Sequence, residues 1–254
     1  MVSSRQSSVF FSQLIRRIVG SGFNMPRSAP PPPKRGVIRI DDPPFGVTRN
    51  QIHAVCGNHS GIVEHPDGQL MIHIIMDRRT SKTGEIYVEF DTVREAENVI
   101  KRLSNTRSRQ PIAKLLDREC RVRSSSQDEL LKALFPAAKC NWRDGKPVFN
   151  LTRMDGSPAF TSFLDKEEIH YLKKFMIDSR KAKFCKFHPQ RPFDCLTSTL
   201  QKYPRGYYED QEVINLWETI VPTAKSSLED RIKRDPVNFH FWHEYMRCLS
   251  RGEY

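Results

Sequence analysis

The chain has 254 residues, 38% of them hydrophobic, and a formal net charge of +11, with a pI near 9.5. That length holds one large or two small cores, and the charge favours a polyanionic partner or surface. The six cysteines, at positions 56, 120, 140, 185, 195 and 248, form no C-x-x-C pair, a pattern of reduced thiols rather than of a disulfide framework; no apolar run approaches the roughly 18 residues of a membrane span.

The amino terminus is basic. Residues 1–36 contain Arg5, Arg16, Arg17, Arg27, Lys34 and Arg35 and no acid. Phe10, Phe11, Leu14, Ile15, Ile18 and Val19 recur at helical spacing among serines and arginines. Residues 1–24 therefore read either as a mitochondrial presequence or as part of a disordered tail; the tail reading places the protein in the nucleus or cytoplasm. Pro30 to Pro33 end any helix there and act as a stiff spacer. Residues 1–35 are set apart as a basic, proline-rich tail.

Val37 to Ile40 is a β-branched run that stops at Asp41-Asp42-Pro43-Pro44, a strand followed by a turn. Thr48 is placed to cap a helix through Ile52, Ala54 and Val55, which Gly57 ends. Gly61 to Val63 suggests a second strand, with Met71 to Met76 its continuation or the start of the next, across a turn at Pro66-Asp67-Gly68. A polar loop, Asp77 to Lys82, leads to the strand Thr83 to Phe90. Asp91 or Thr92 caps a helix whose apolar side is Val93, Ala96, Val99, Ile100 and Leu103. Ile112 to Leu116 and Glu119 to Arg123 complete the order strand–helix–strand–strand–helix–strand, the split β-α-β plan of a ferredoxin-like α+β fold over residues 36–124.

Alternation assigns faces. Ile38, Ile40, Ile86, Val88, Phe90, Cys120 and Val122 point to the two helices. Arg39, Glu85, Tyr87, Glu89, Arg121 and Arg123 point to the other, open side.

Residues 125–147 read as a helix and linker, since strand signals fade beyond Trp142. Residues 148–254 read as a mainly α-helical region, either a small module or a set of helices docked on the first domain. Asp165 and Glu168 form a capping-box start. Pro192 suits a first helical residue, with Phe193, Leu196, Leu200 and Tyr203 on one side. Val213, Ile214, Trp217 and Ile220 form a stripe ended by Pro222, and Phe241, Trp242, Tyr245 and Leu249 a last helix. Cys185 with His188 and His240 with His243 lack the second close pair of a zinc site. No glycine-rich phosphate loop, G-x-S-x-G or H-E-x-x-H is present, so neither catalysis, a metal nor a cofactor is expected.

The octamer T-G-E-I-Y-V-E-F of Thr83 to Phe90 resembles the third-strand signature of the RNA recognition motif. It keeps Gly84, Tyr87, Val88 and Phe90, and has Glu85 in place of the first stacking aromatic. V-I-R-I-D-D-P-P-F, from Val37 to Phe45, is similar to the opening of the quasi-RNA recognition motifs of the heterogeneous nuclear ribonucleoprotein F and H group. Q-D-E-L-L-K-A-L-F, from Gln127 to Phe135, is similar to that group's trailing helix, which leaves open whether the helix lies across the sheet. The resemblance covers residues 36–135. It implies that loops rather than the sheet hold single-stranded RNA, with Phe45 matching the family's aromatic after the proline and Arg118 its arginine entering the last strand. Asp41 and Glu119 stand where the family has arginine and tyrosine.

The expected function is non-catalytic binding of single-stranded RNA in messenger RNA processing or regulation. Candidate contacts are Arg39, Phe45, Arg78, Arg79, Lys82, Tyr87, Arg107, Arg109, Arg118, Arg121 and Arg123. Tyr87 serves as the stacking ring and the cations engage phosphate. The alternative is a protein–protein adaptor with little RNA affinity, whose carboxy-terminal helices offer a second docking surface. No membrane partner is expected.

Overall fold

The computed structural model describes residues 34–66, 68–104, 110–149, 162–204, 210–235 and 239–250. The strands are β1 (Gly36–Ile40), β2 (Ile72–Met76), β3 (Thr83–Phe90), β4 (Ile112–Leu115) and β5 (Arg118–Ser125), joined by helices α1 (Arg49–Cys56) and α2 (Val93–Leu103). They make one five-stranded sheet in the order β2-β3-β1-β5-β4, with every neighbouring pair antiparallel. A short helix α3 (Gln127–Leu134) follows, then a hairpin of β6 (Cys140–Arg143) and β7 (Lys146–Phe149). The remaining helices are α4 (Lys166–Ile177), α5 (Arg191–Gln201), α6 (Asp210–Arg234) and α7 (Phe239–Ser250). The chain is thus α+β, with an amino-terminal antiparallel sheet and a mainly helical carboxy-terminal region. The described residues belong to a single compact unit.

Local chemistry explains most element ends. Thr48 and Gln51 make a reciprocal capping box at α1, as do Thr92 and Glu95 at α2 and Asp165 and Glu168 at α4, each satisfying amide groups that the first turn leaves without partners. Gly57 closes α1 with φ +87°, its N–H donating to His53 O. Gly36 marks a close approach. A Cβ there would lie 2.4 Å from Thr92 O and 2.7 Å from Ala96 Cβ. Gly36→Ala is expected to destabilise the protein by about 1–3 kcal/mol through overpacking, measured by urea denaturation.

The alternation of side chains along the strands is as expected, and it produces two cores. On one face Ile38, Ile40, Ile72, Ile74, Ile86, Val88 and Phe90 pack with Ile52, Cys56, Ala96 and Val99 of α1 and α2. Whether the helix after the last strand covers the other face was left open by the sequence; over most of β2 and β3 that face is covered. Val37, Met76 and Tyr87 join Leu130, Leu131 and Leu134 of α3 and the carboxy-terminal helices in a second core. Helix α5 packs on β2, with α4 and α7 behind it. Every residue from Arg191 to Thr199 in α5 is buried, as befits a helix surrounded on all sides.

Three sequence expectations need correction. Strand signals do not fade at Trp142, because 140–149 is a hairpin whose turn residues Asp144 and Gly145 have φ of 52° and 74°. That geometry is the type I′ turn that Asp-Gly favours. The Asp128 carboxylate accepts from both turn amides, at 3.2 and 2.7 Å, and so ties the hairpin to the start of α3. The α6 stripe does not end at Pro222, which lies inside the helix. The cost of an interior proline, about 3 kcal/mol, is offset because Ala224 and Leu228 continue the buried side beyond it. Gly61 to Val63 forms no strand: Ile62 makes only an isolated bridge to Phe90, and β2 begins at Ile72.

Candidate nucleic-acid interface

Buried polar groups hold the carboxy-terminal helices against the sheet and so decide which loops meet at the surface. Asp194 on α5 is the first centre. Arg191 donates to its Oδ2 at 3.0 Å and Tyr245 Oη to its Oδ1 at 2.7 Å, while Arg49 at the start of α1 pairs with Oδ1 at 3.2 Å. The same Arg191 guanidinium, fully buried, donates to Phe45 O at 3.0 Å and Val47 O at 2.6 Å. The loop between β1 and α1 is therefore pinned from behind by α5.

Arg78 is the second centre. The sequence reading placed it in a solvated loop as a phosphate contact, but it is buried. It donates to Glu168 Oε1 at 3.0 Å, to Leu134 O at 2.7 Å and to Thr199 Oγ1 at 2.8 Å. A guanidinium has donors enough to serve three elements at once, and here it ties the β2–β3 loop to α3, α4 and α5. It has no free charge to offer a ligand.

Glu89 is the third. It is buried and accepts from His73 Nε2 at 2.8 Å, Lys202 Nζ at 3.1 Å and Gln127 Nε2 at 2.5 Å, with Arg35 at 3.7 Å. Burial alone would raise its pKa. The His73 hydrogen bond, the Lys202 charge and the Gln127 amide outweigh burial and hold it far below the ordinary carboxylate range. Burial depresses His73, against the pull of Glu89, which favours the neutral imidazole; its Nε2–H donates a hydrogen bond to the Glu89 carboxylate.

Tyr87, named from sequence as the stacking ring, is on β3 opposite Arg39 of β1 and His73 of β2. It is only 2% exposed and belongs to the second core; its Oη accepts from Arg39 Nη1 at 3.4 Å. No base can reach a ring already covered by α3 and its neighbours. Arg39 also pairs with Asp41 at 2.6 Å and Glu85 at 2.7 Å, and Arg123 with Asp41 at 3.3 Å. On the part of the sheet face that stays exposed, Arg39 and Arg123 are thus met by acids, whereas Arg118 and Arg121 have no ion-pair partner among the described residues. Arg118 and Arg121 are exposed on β5. Arg107 and Arg109 lie outside the described residues.

Phe45 and the β2–β3 loop that carries Lys82 meet residues 179–188, a segment in which the sequence reading weighed only Cys185 and His188, as metal ligands. Residues 179–188, S-R-K-A-K-F-C-K-F-H, interleave Arg180, Lys181, Lys183 and Lys186 with Phe184 and Phe187 and contain no acid. The Phe184 amide donates to Ser81 Oγ at 3.1 Å, joining this segment to the β2–β3 loop beside Lys82. Phe184 packs on Phe45 with ring centroids 5.7 Å apart, and a Cβ on Gly46 would come within 2.6 Å of the His188 ring. Phe45 remains 40% exposed and Phe187 78%. Lys183 Nζ sits 5.5 Å from the Phe184 ring centre and Lys186 Nζ 4.7 Å from that of Phe187. Lys82, Lys183 and Lys186 have no ion-pair partner among the described residues, whereas Arg79 is held by Asp165 and by Glu167 at 3.5 Å.

The outcome is a rim of three loops with two exposed rings and lysines whose charge is unmet. Its sequence signal was the alternation of Lys and Phe over 183–187, which basic and aromatic interleaving would have flagged had the segment not been read as part of a helical region.

Residues 34–144, which span the sheet, α3 and β6, match a family model described as a domain of unknown function (DUF8400). Residues 160–233, which span α4, α5 and nearly all of α6, match a second, also described as a domain of unknown function (DUF8399). No curated protein and no solved structure matches the chain.

Proposed function

We propose that this protein binds single-stranded RNA, without catalysis, along the rim formed by the Phe45 loop, the β2–β3 loop and residues 179–188, and that it acts in messenger RNA processing or regulation. The strand order, with β1 between β3 and β5 and β2 beyond β3, supports a ferredoxin-like plan of the RNA-recognition-motif kind with β4 as an added edge strand. Its resemblance to the quasi-RNA recognition motifs, which use loops, supports the same reading. The observation that carries the proposal is the contact of Phe184 with both Phe45 and Ser81, which sets exposed Phe45 and Phe187 and the lysines Lys82, Lys183 and Lys186 on adjoining loops. Rings stack on bases regardless of sequence, and unpaired lysines attract phosphate.

Anisotropy against a labelled unstructured RNA tests it. Phe45→Ala with Phe187→Ala is expected to weaken binding at least tenfold, since each base–ring stack is worth about 1–3 kcal/mol. Lys183→Ala with Lys186→Ala is expected to flatten the dependence of log Kd on log salt by about 1.4, two phosphate contacts at roughly 0.7 each. Tyr87→Phe should leave affinity unchanged. A wild-type chain that binds RNA only through residues 1–33, judged by removing them, sinks the proposal for the folded part.

The burial of Tyr87 and of the sheet around it favours a second reading, an adaptor with little RNA affinity. That reading predicts no salt-dependent RNA binding by residues 34–254 at all.

A further inference from the structure

A cleft of about 430 Å³ lies between α4 and α6, lined by Ile169, Ile177 and Thr219 and by Lys166, Lys173, Lys174 and Lys181. Ile177 is 64% exposed, an aliphatic side chain left uncovered at the end of an otherwise well-packed helix. Asp178 takes up Lys181 at 4.0 Å and Arg180 at 3.0 Å, and Glu167 faces Arg79. Lys166, Lys173 and Lys174 then have no acid within ion-pair distance among the described residues.

We infer that this cleft is a docking groove for an acidic partner segment that carries aliphatic side chains between its carboxylates. Charge and shape select that occupant together. From Lys166 to Ile177 the helix runs about 16 Å at 1.5 Å per residue, so the cations form a line that one small carboxylate cannot span. An extended segment, rising about 3.3 Å per residue, meets that line with several side chains. Its alternate residues fall on one side, where aliphatic groups reach Ile169 and Ile177 while acids meet the lysine rim. Besides the lysines, the lining is Ile169, Ile177, Thr219 and the exposed His170; it has no counterpart of the exposed Phe187 of the rim, and its apolar contacts are aliphatic. This chain's own amino terminus is the wrong sign, because residues 1–36 contain no acid.

The test is anisotropy of a short fluorescein-labelled peptide of alternating Glu and Leu with the full chain, and with a Lys–Leu peptide as its counterpart. The acidic peptide is expected to bind saturably and the basic one not at all. Lys166→Gln with Lys173→Gln, and separately Ile177→Asp, should each weaken binding by about tenfold or more, equivalent to roughly 1.4 kcal/mol. These positions lie outside both cores, so thermal melting should be unchanged. Lys183→Ala with Lys186→Ala should leave peptide affinity intact, and the cleft variants should leave RNA affinity intact. Those two controls separate failure here from failure of the RNA reading. Absence of saturable binding overturns the inference. So does equal weakening by the Lys183 and Lys186 variant, or displacement of the peptide by single-stranded RNA in that variant, which would make the cleft a path for nucleic acid.

Discussion

Arg191→Leu is expected to lower the free energy of unfolding by about 3–5 kcal/mol, the cost of breaking a buried ion pair by removing one partner, as read from the midpoint of urea denaturation. The size follows from what the guanidinium leaves behind. Asp194 loses a 3.0 Å partner at a buried site, and the carbonyls of Phe45 and Val47 lose their donor together. A buried acceptor without a partner costs about 1–3 kcal/mol. Arg49 and Tyr245 still reach Asp194, which keeps its charge partly met and the helix docked. The second consequence is functional. Arg191 is what fixes the Phe45 loop against α5, so the variant should lose RNA affinity under conditions where it remains folded. Arg191→Lys should not rescue it, because one ammonium cannot reach a carboxylate and two carbonyls in the geometry of a planar fork. Full RNA affinity in a folded Arg191→Leu variant would show that the loop needs no such support.

Glu89→Ala should cost a comparable amount, again about 3–5 kcal/mol, because it strands His73, Gln127 and Lys202 around an empty buried site. This centre also sets a pH dependence with a definite sign. The folded-state pKa of Glu89 is depressed, so its contribution is present above the ordinary carboxylate value of about 4.3 and is lost as pH falls below that value. The folded-state pKa of His73 is depressed as well. Below about 6.5 the unfolded chain binds a proton that the folded chain does not, so stability falls with pH there too. Both act in the same direction. Unfolding free energy should be flat above neutrality and decline in two stages on acidification, with the upper stage reduced in His73→Gln. Stability that rises from pH 7 to pH 5 would contradict the assignment of His73 as a neutral donor.

Much of the first domain was legible in the sequence because its signals are local. Thr48, Thr92 and Asp165 announce helix starts through the reach of one side chain to an amide three residues on, and the period-two pattern of β1, β3 and β5 sorts residues between faces without reference to anything distant. The Asp144-Gly145 turn was equally local and was missed because Pro147 interrupts the second strand of the hairpin, and a proline inside a run demotes it as a strand. The candidate site divides in the same way. Phe45 was found from a motif, and it is exposed. Tyr87 and Arg78 were assigned by the same kind of reasoning and are buried, because whether an outward-facing residue meets water depends on what the rest of the chain lays over it.

The amino-acid order alone determined the α+β plan, the partition of β1, β3 and β5 into two sides and the excess of positive charge, since all three follow from side-chain alternation, capping and composition. Only the tertiary structure decided that the far side of the sheet is a core, that Arg78 meets Thr199 121 positions away, Glu89 meets Lys202 113 away and Asp194 meets Tyr245 51 away, and that residues 179–188 share a surface with Phe45. Such contacts depend on one amphipathic helix finding another element's apolar face. Burial of that kind is non-directional and proportional to area, so it leaves no short spacing rule in the sequence for a reader to find.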